Sequence, residues 1–67
     1  MDVAKLKAKV DASEFTVEEL SERIGIDPST YYRKVNTNGE NFTVSQAKKL
    51  AAALDLTPEE ASEIFLS

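Results

Sequence analysis

The sequence predicts an all-α fold of five short helices, and three observations point to it. The first is a set of three capping boxes: Thr16 with Glu19, Thr43 with Gln46, and Thr57 with Glu60. In each, the Thr side chain and the Glu or Gln side chain can satisfy one another's backbone N–H at a helix start. The second is apolar spacing of three and four residues, the period of one helix face. The third is punctuation: two Gly and two Pro fall at the boundaries of these stretches, and no alternating strand pattern flanks them. At 67 residues the chain is expected to form a single domain over 1–67.

The first helix is expected from about Asp2 to Ala12. Val3, Leu6 and Val10 share a face, and Lys5, Lys7 and Lys9 lie off it. Ser13 and Glu14 form a short connection. The second helix starts at the Thr16 box, with Phe15 and Leu20 placed as a hydrophobic staple. Val17, Leu20 and Ile24 form its inner face, Glu19 and Arg23 are spaced for an i, i+4 pair, and Gly25 ends it.

The third helix starts at Asp27-Pro28, since Asp caps free N–H groups and Pro needs none at the first position. It should run to about Asn36, followed by a polar turn from Thr37 to Asn41. The fourth helix starts at the Thr43 box after Phe42, and its apolar face is read as Val44, Ala47, Leu50, Ala51 and Leu54. The fifth starts at the Thr57 box after Leu56, with Pro58 at the first position. Ala61, Ile64 and Phe65 supply its apolar face.

Composition excludes several classes of function. There is no Cys and no His, so no disulfide, no thiolate or imidazole metal site and no proton switch near neutrality. No metal and no cofactor are expected. The longest apolar run, Leu50 to Leu54, has five members. A membrane helix needs roughly 20, so no membrane association is expected and the chain is read as cytoplasmic. Glu18-Glu19 and Glu59-Glu60 are adjacent on helices and diverge, so they form no catalytic carboxylate pair. With no Gly-rich phosphate loop or nucleophile partner, no enzymatic activity and no small-molecule ligand are expected.

The net charge is −4, which on its face opposes binding to nucleic acid. The total hides a split. Residues 1–27 hold four basic and seven acidic residues, and residues 55–67 hold four acids and no base. Between them, residues 28–54 hold Arg33, Lys34, Lys48 and Lys49 against Glu40 alone, a net +3.

The basic segment includes the second half of a two-helix unit over about 16–36. Its ingredients are two helices, a short turn with Gly25, the small Ser21 where the helices meet, Ile24 and Ile26 flanking the turn, and Tyr31 and Val35 four apart on the second helix. The run Thr16-Val17-Glu18-Glu19-Leu20-Ser21, then Ile24-Gly25-Ile26-Asp27 and Ser29, resembles the helix-turn-helix of the phage Cro and CI repressor family, also called the XRE family. The resemblance extends through the polar turn into Lys48-Lys49-Leu50-Ala51-Ala52-Ala53-Leu54 and so covers nearly the whole chain. Two positions depart from the family pattern: Lys34 stands at a usually apolar position, and Pro28 stands where many members carry a base-reading Gln.

The resemblance implies a five-helix, lambda-repressor-like DNA-binding domain whose third helix lies in the major groove of an operator. Pro28, Ser29, Tyr32 and Arg33 are the base-reading candidates, Arg33 having the fork that bonds guanine O6 and N7 together. Thr16, Lys34, Asn36, Asn41 and Thr43 are the candidates for phosphate contact. The expected partner is double-stranded operator DNA, bound by a homodimer in a bacterial cell, with repression by occluding a promoter. Ile64, Phe65 and Leu66 are the candidate dimer contacts, although Ile64 and Phe65 are also placed to close the core. The alternative is a protein-interaction module, such as an antirepressor, suited by the acidic fifth helix and apolar end.

Overall fold

The Thr16, Thr43 and Thr57 side chains each accept the backbone N–H of the residue three positions on, and the backbone N–H of each Thr donates in return to that residue's side-chain oxygen. The three boxes therefore start three helices in this computed structural model, which describes residues 1–36 and 42–66. The five helices are α1 (Val3–Ala12), α2 (Val17–Ile24), α3 (Pro28–Asn36), α4 (Val44–Ala53) and α5 (Pro58–Phe65). No strand occurs among the described residues. The polar turn expected at 37–41 lies outside the described residues.

α1 is capped by the Asp2 carboxylate, which accepts the Lys5 backbone N–H at 3.1 Å. The helices pack in pairs, α2 against α4 and α3, and α1 against α5. One cluster of Leu6, Leu20, Ile24, Tyr31, Phe42, Leu50 and Ile64 draws a side chain from every helix. Phe15, Val17, Ile26, Val35 and Leu56 pack around it, half-buried.

Both ends of the described chain meet on the α1–α5 side. The Asp2 backbone N–H donates to the Ile64 carbonyl at 2.7 Å. The Lys5 ammonium lies 2.8 Å from Glu63, and Lys9 pairs with Glu60. The Lys9 ammonium, aided by the Thr57 backbone N–H, holds the Glu60 carboxyl down to about 2.

Three expectations about packing need correction. Val44, read as part of the buried face of α4, is 73% exposed. As the first helical residue it sits at the rim, where Phe42, just outside the cap, fills the core instead. Val3 likewise lies at the edge of the α1 face and is exposed. Arg23 is drawn to a ring rather than paired closely with Glu19: its guanidinium lies 4.5 Å from the centre of the Phe15 ring. The Glu19 carboxylate is taken up by the backbone N–H and hydroxyl of Thr16.

The turn between α4 and α5 contains a feature that no Gly announces. The Asp55 N–H bonds the Ala52 carbonyl and the Leu56 N–H bonds the Ala51 carbonyl. This closure places Asp55 at φ 54°, in the left-handed region.

Candidate nucleic-acid interface

The turn between α2 and α3 sets the angle of the unit. Gly25 adopts φ 81°, the left-handed conformation that Gly reaches without a Cβ clash. Its N–H bonds the Glu22 carbonyl, and the next N–H, of Ile26, bonds the Ser21 carbonyl. Ser21 has no exposed surface, and its hydroxyl donates to the Val17 carbonyl at 2.7 Å. A small, internally satisfied side chain lets the neighbouring helices approach at this point. Pro28 then opens α3, and the Tyr31 N–H bonds the Asp27 carbonyl to make the first helical turn.

α3 is fixed from one side. Tyr31 is only 4% exposed, and its ring meets Phe42 at 5.6 Å and, edge-on, Tyr32 at 6.0 Å. Burial pushes the Tyr31 phenol up, so it stays neutral in the core. Val35, one turn later, packs against the same cluster. At about 100° per residue, Arg33 falls opposite the midpoint of Tyr31 and Val35.

The other side of α3 is the surface. Ser29, Tyr32, Arg33 and Asn36 are exposed, and Pro28 is half-buried at the helix start. Lys34 is also half-buried, with its ammonium 5.9 Å from the centre of the Phe42 ring. At this usually apolar position the Lys stem covers the edge of the core and the charge stays at the rim. Val35 packs on the core beside it, so the unusual Lys34 does not break the attachment of α3.

The two other helix starts expected near DNA differ in charge. Thr16 and Thr43 are both exposed, and both hydroxyls serve their own boxes. The first turn of α2 carries Glu18 and Glu19, whereas the first turn of α4 carries no acid. The Glu19 carboxylate is held below the usual range by the Thr16 backbone N–H and hydroxyl, so it remains ionised. At α4 the reciprocal acceptor is the neutral Gln46. An anion therefore meets a less hostile field at Thr43 than at Thr16. Lys48 and Lys49 are exposed further along α4. Asn41 lies outside the described residues.

Of the three candidate dimer contacts, Ile64 is 1% exposed and belongs to the core. It cannot offer its side chain to a partner without unpacking the core. Phe65 is half-buried and Leu66 is 81% exposed, so these two remain at the surface. Val44, which periodicity assigned to the interior, joins them there.

No described helix is long and apolar enough to cross a membrane. No cluster of three or more Asp and Glu among the described residues is placed to hold a metal ion. A family model described as Cro/C1-type HTH DNA-binding domain matches residues 5–65. No curated protein and no solved structure matches the chain.

Proposed function

The chain belongs to the family of Cro/C1-type helix-turn-helix DNA-binding domains, and from that premise we propose that it is a sequence-specific transcriptional repressor acting as a homodimer on an operator. The observation that carries this reading is the two-sidedness of α3. Tyr31 and Val35 hold the helix to the core, while Ser29, Tyr32, Arg33 and Asn36 line its exposed arc. A helix held from one side and polar on the other can enter the major groove without unpacking the domain.

In this reading Arg33, opposite the core, makes the bidentate contact to guanine. Tyr32 meets a thymine methyl or a sugar, and Ser29 reaches a base edge near the helix start. Pro28 makes apolar contact there, in place of an amide that would read a base. Lys34 and Asn36 hold phosphates along the groove wall and Thr43 does so at the start of α4, with Asn41 a further phosphate contact. Thr16 contributes least, because the Glu19 carboxylate stands beside it. Repression is by occlusion: a protein seated on an operator overlapping a promoter excludes polymerase. The place of action is the bacterial nucleoid.

The acidic total has a consequence for affinity. Net −4 makes non-specific attraction weak, so discrimination rests on α3 and on the joint action of two copies. Selection of bound duplexes from a random pool tests this reading, followed by titration of the selected site at low and high salt. A recurring, two-fold symmetric sequence whose affinity falls with salt is expected. No binding to any duplex at low salt overturns it.

A further inference from the structure

We propose that the groove between α1 and α3 binds a small zwitterion with a bulky apolar side chain, the chemistry of a large apolar α-amino acid. The effect of such a ligand on DNA rests on the DNA-binding reading above; its binding does not.

The groove measures about 350 Å³. At about 30 Å³ for a water-sized group, that is room for roughly a dozen non-hydrogen atoms. Its floor is apolar: Leu6 and Val10 from α1, Val17 from α2, and Tyr31 and Val35 from α3. Val3 also lines it and is left exposed. An apolar trough between helices, with a few polar groups beside it, is the common form of a small-molecule site. Composition does not announce it, because packing assembles it from helices distant in sequence.

The polar groups select the ligand. Lys7 and Asp11 line the α1 side, and Tyr32 and Asn36 the α3 side. The three lysines of α1 divide between two partners. Lys5 and Lys9 are held by Glu63 and Glu60 of α5, whereas Lys7 is exposed and lines the groove. Asp11 is exposed one turn further on, about 6 Å along the axis. No ion pair joins Lys7 to Asp11 among the described residues. Lys followed by an acid is also the weaker order for such a pair on a helix. The Tyr31 phenol, raised first by burial and then by Tyr32, is raised further by the Asp11 carboxylate, which puts that charge beside the groove floor. One cation and one anion on the same rim complement a carboxylate and an ammonium carried on one carbon. A simple anion would be opposed by Asp11, and a simple cation by Lys7. The Asn36 amide can donate to the carboxylate and accept from the ammonium. The floor then takes the apolar side chain.

Tyr32 and Asn36 serve twice, since both are also candidate DNA contacts on α3. A ligand that holds them withdraws them from DNA. Ligand and DNA therefore weaken one another's binding by the same factor.

Titration of the full chain with L-leucine, L-isoleucine and L-phenylalanine, followed by backbone amide NMR shifts, tests the proposal. Saturable shifts centred on the groove residues of α1 and α3 are expected below about 10 mM. Lys7→Met and Asp11→Asn should each weaken binding about three- to tenfold, with circular dichroism checking that the helices are kept. N-acetyl-L-phenylalaninamide, which has the ring but neither charge, should bind more weakly by a similar factor, and glycine should not bind. No saturable shift with any of the three amino acids overturns the proposal. Equal binding of the uncharged analogue overturns it too, as does indifference to both substitutions. Random duplex at low salt, titrated with and without saturating amino acid, separates the two readings. A chain that binds the amino acid but no duplex loses only the DNA reading, and one that binds duplex but no amino acid loses only this site. Duplex affinity unchanged at saturation overturns the coupling through Tyr32 and Asn36.

Discussion

Gly25 and Asp55 close their turns with the same pair of hydrogen bonds, at φ 81° and 54°, although only one of them is a glycine. In each turn, one N–H reaches back three residues and the next reaches back five. A left-handed φ strains any side chain with a Cβ, so the two sites should respond oppositely to exchange. Nothing lies within 4 Å of a Cβ built on Gly25, so its conformation alone sets the effect of Gly25→Ala, a loss of about 1–2 kcal/mol. Asp55→Gly should gain about 1 kcal/mol. Thermal melts of the two variants measure both, and a destabilised Asp55→Gly would contradict the account.

Ser21 is fully buried within the two-helix unit. Its hydroxyl bonds a carbonyl of its own helix, so Ser21→Ala removes little and should change stability by less than about 1 kcal/mol. Ser21→Leu adds volume where no surface is exposed, and should cost about 1–3 kcal/mol. Urea denaturation of both variants checks the ordering.

Most of the architecture was legible because helix starts are written locally. A Thr and a Glu or Gln three residues apart decide a start with no help from the rest of the chain, and all three boxes close. Tyr31 was legible as core by its spacing to Val35, and Gly25 by its chemistry. What escaped is set by neighbours or by turn geometry. Periodicity places Val44 and Leu50 on one stripe, but only the packed helices decide that the stripe is covered at Leu50 and bare at Val44. The Glu19–Arg23 spacing was right, yet the Phe15 ring and the Thr16 box compete for the two partners. Asp55 carries no mark of its left-handed backbone, because Asp also serves as a cap and as a surface charge. On α3 the exposed arc followed from the helix period, whereas the unequal fields at Thr16 and Thr43 emerge only when each carboxylate has a place.

Arg33→Ala tests base reading directly. Arg33 lies on the exposed arc of α3, and circular dichroism of the variant checks that the helices are kept. At a selected operator it should lose about 1–3 kcal/mol of binding and relax the preference at one base pair. An equal loss on all sequences would demote Arg33 to a phosphate contact.

Glu19→Gln probes the electrostatics of the α2 start. Gln can keep the box, as Gln46 does at α4, while removing a negative charge beside Thr16. Affinity for duplex DNA should rise at low salt, and thermal stability should fall slightly, as the helix dipole loses its anion. Unchanged affinity would place Thr16 away from the phosphates.

Acid should loosen the α1–α5 side. The Glu60 carboxyl is held down to about 2 in the folded chain, against an ordinary value of 4.5. A depressed carboxylate stabilises the fold above the unfolded value, and that contribution is lost as pH falls through the interval from 4.5 to about 2. Glu60→Gln should flatten this part of the stability profile while keeping the Thr57 box. Denaturation between pH 6 and about 2.5 reads the difference, and parallel profiles for the two proteins would refute the assignment.

The seam between Asp2 and Ile64 also bears on how the chain acquires its shape. The first helix has its partner at the far end of the sequence: Lys5 meets Glu63 across 58 positions and Lys9 meets Glu60 across 51. During synthesis α1 emerges early but its ion-pair partners on α5 follow last. A chain cut before α5 should therefore leave one flank of Leu6 uncovered, and the cluster it belongs to should close only when Ile64 arrives.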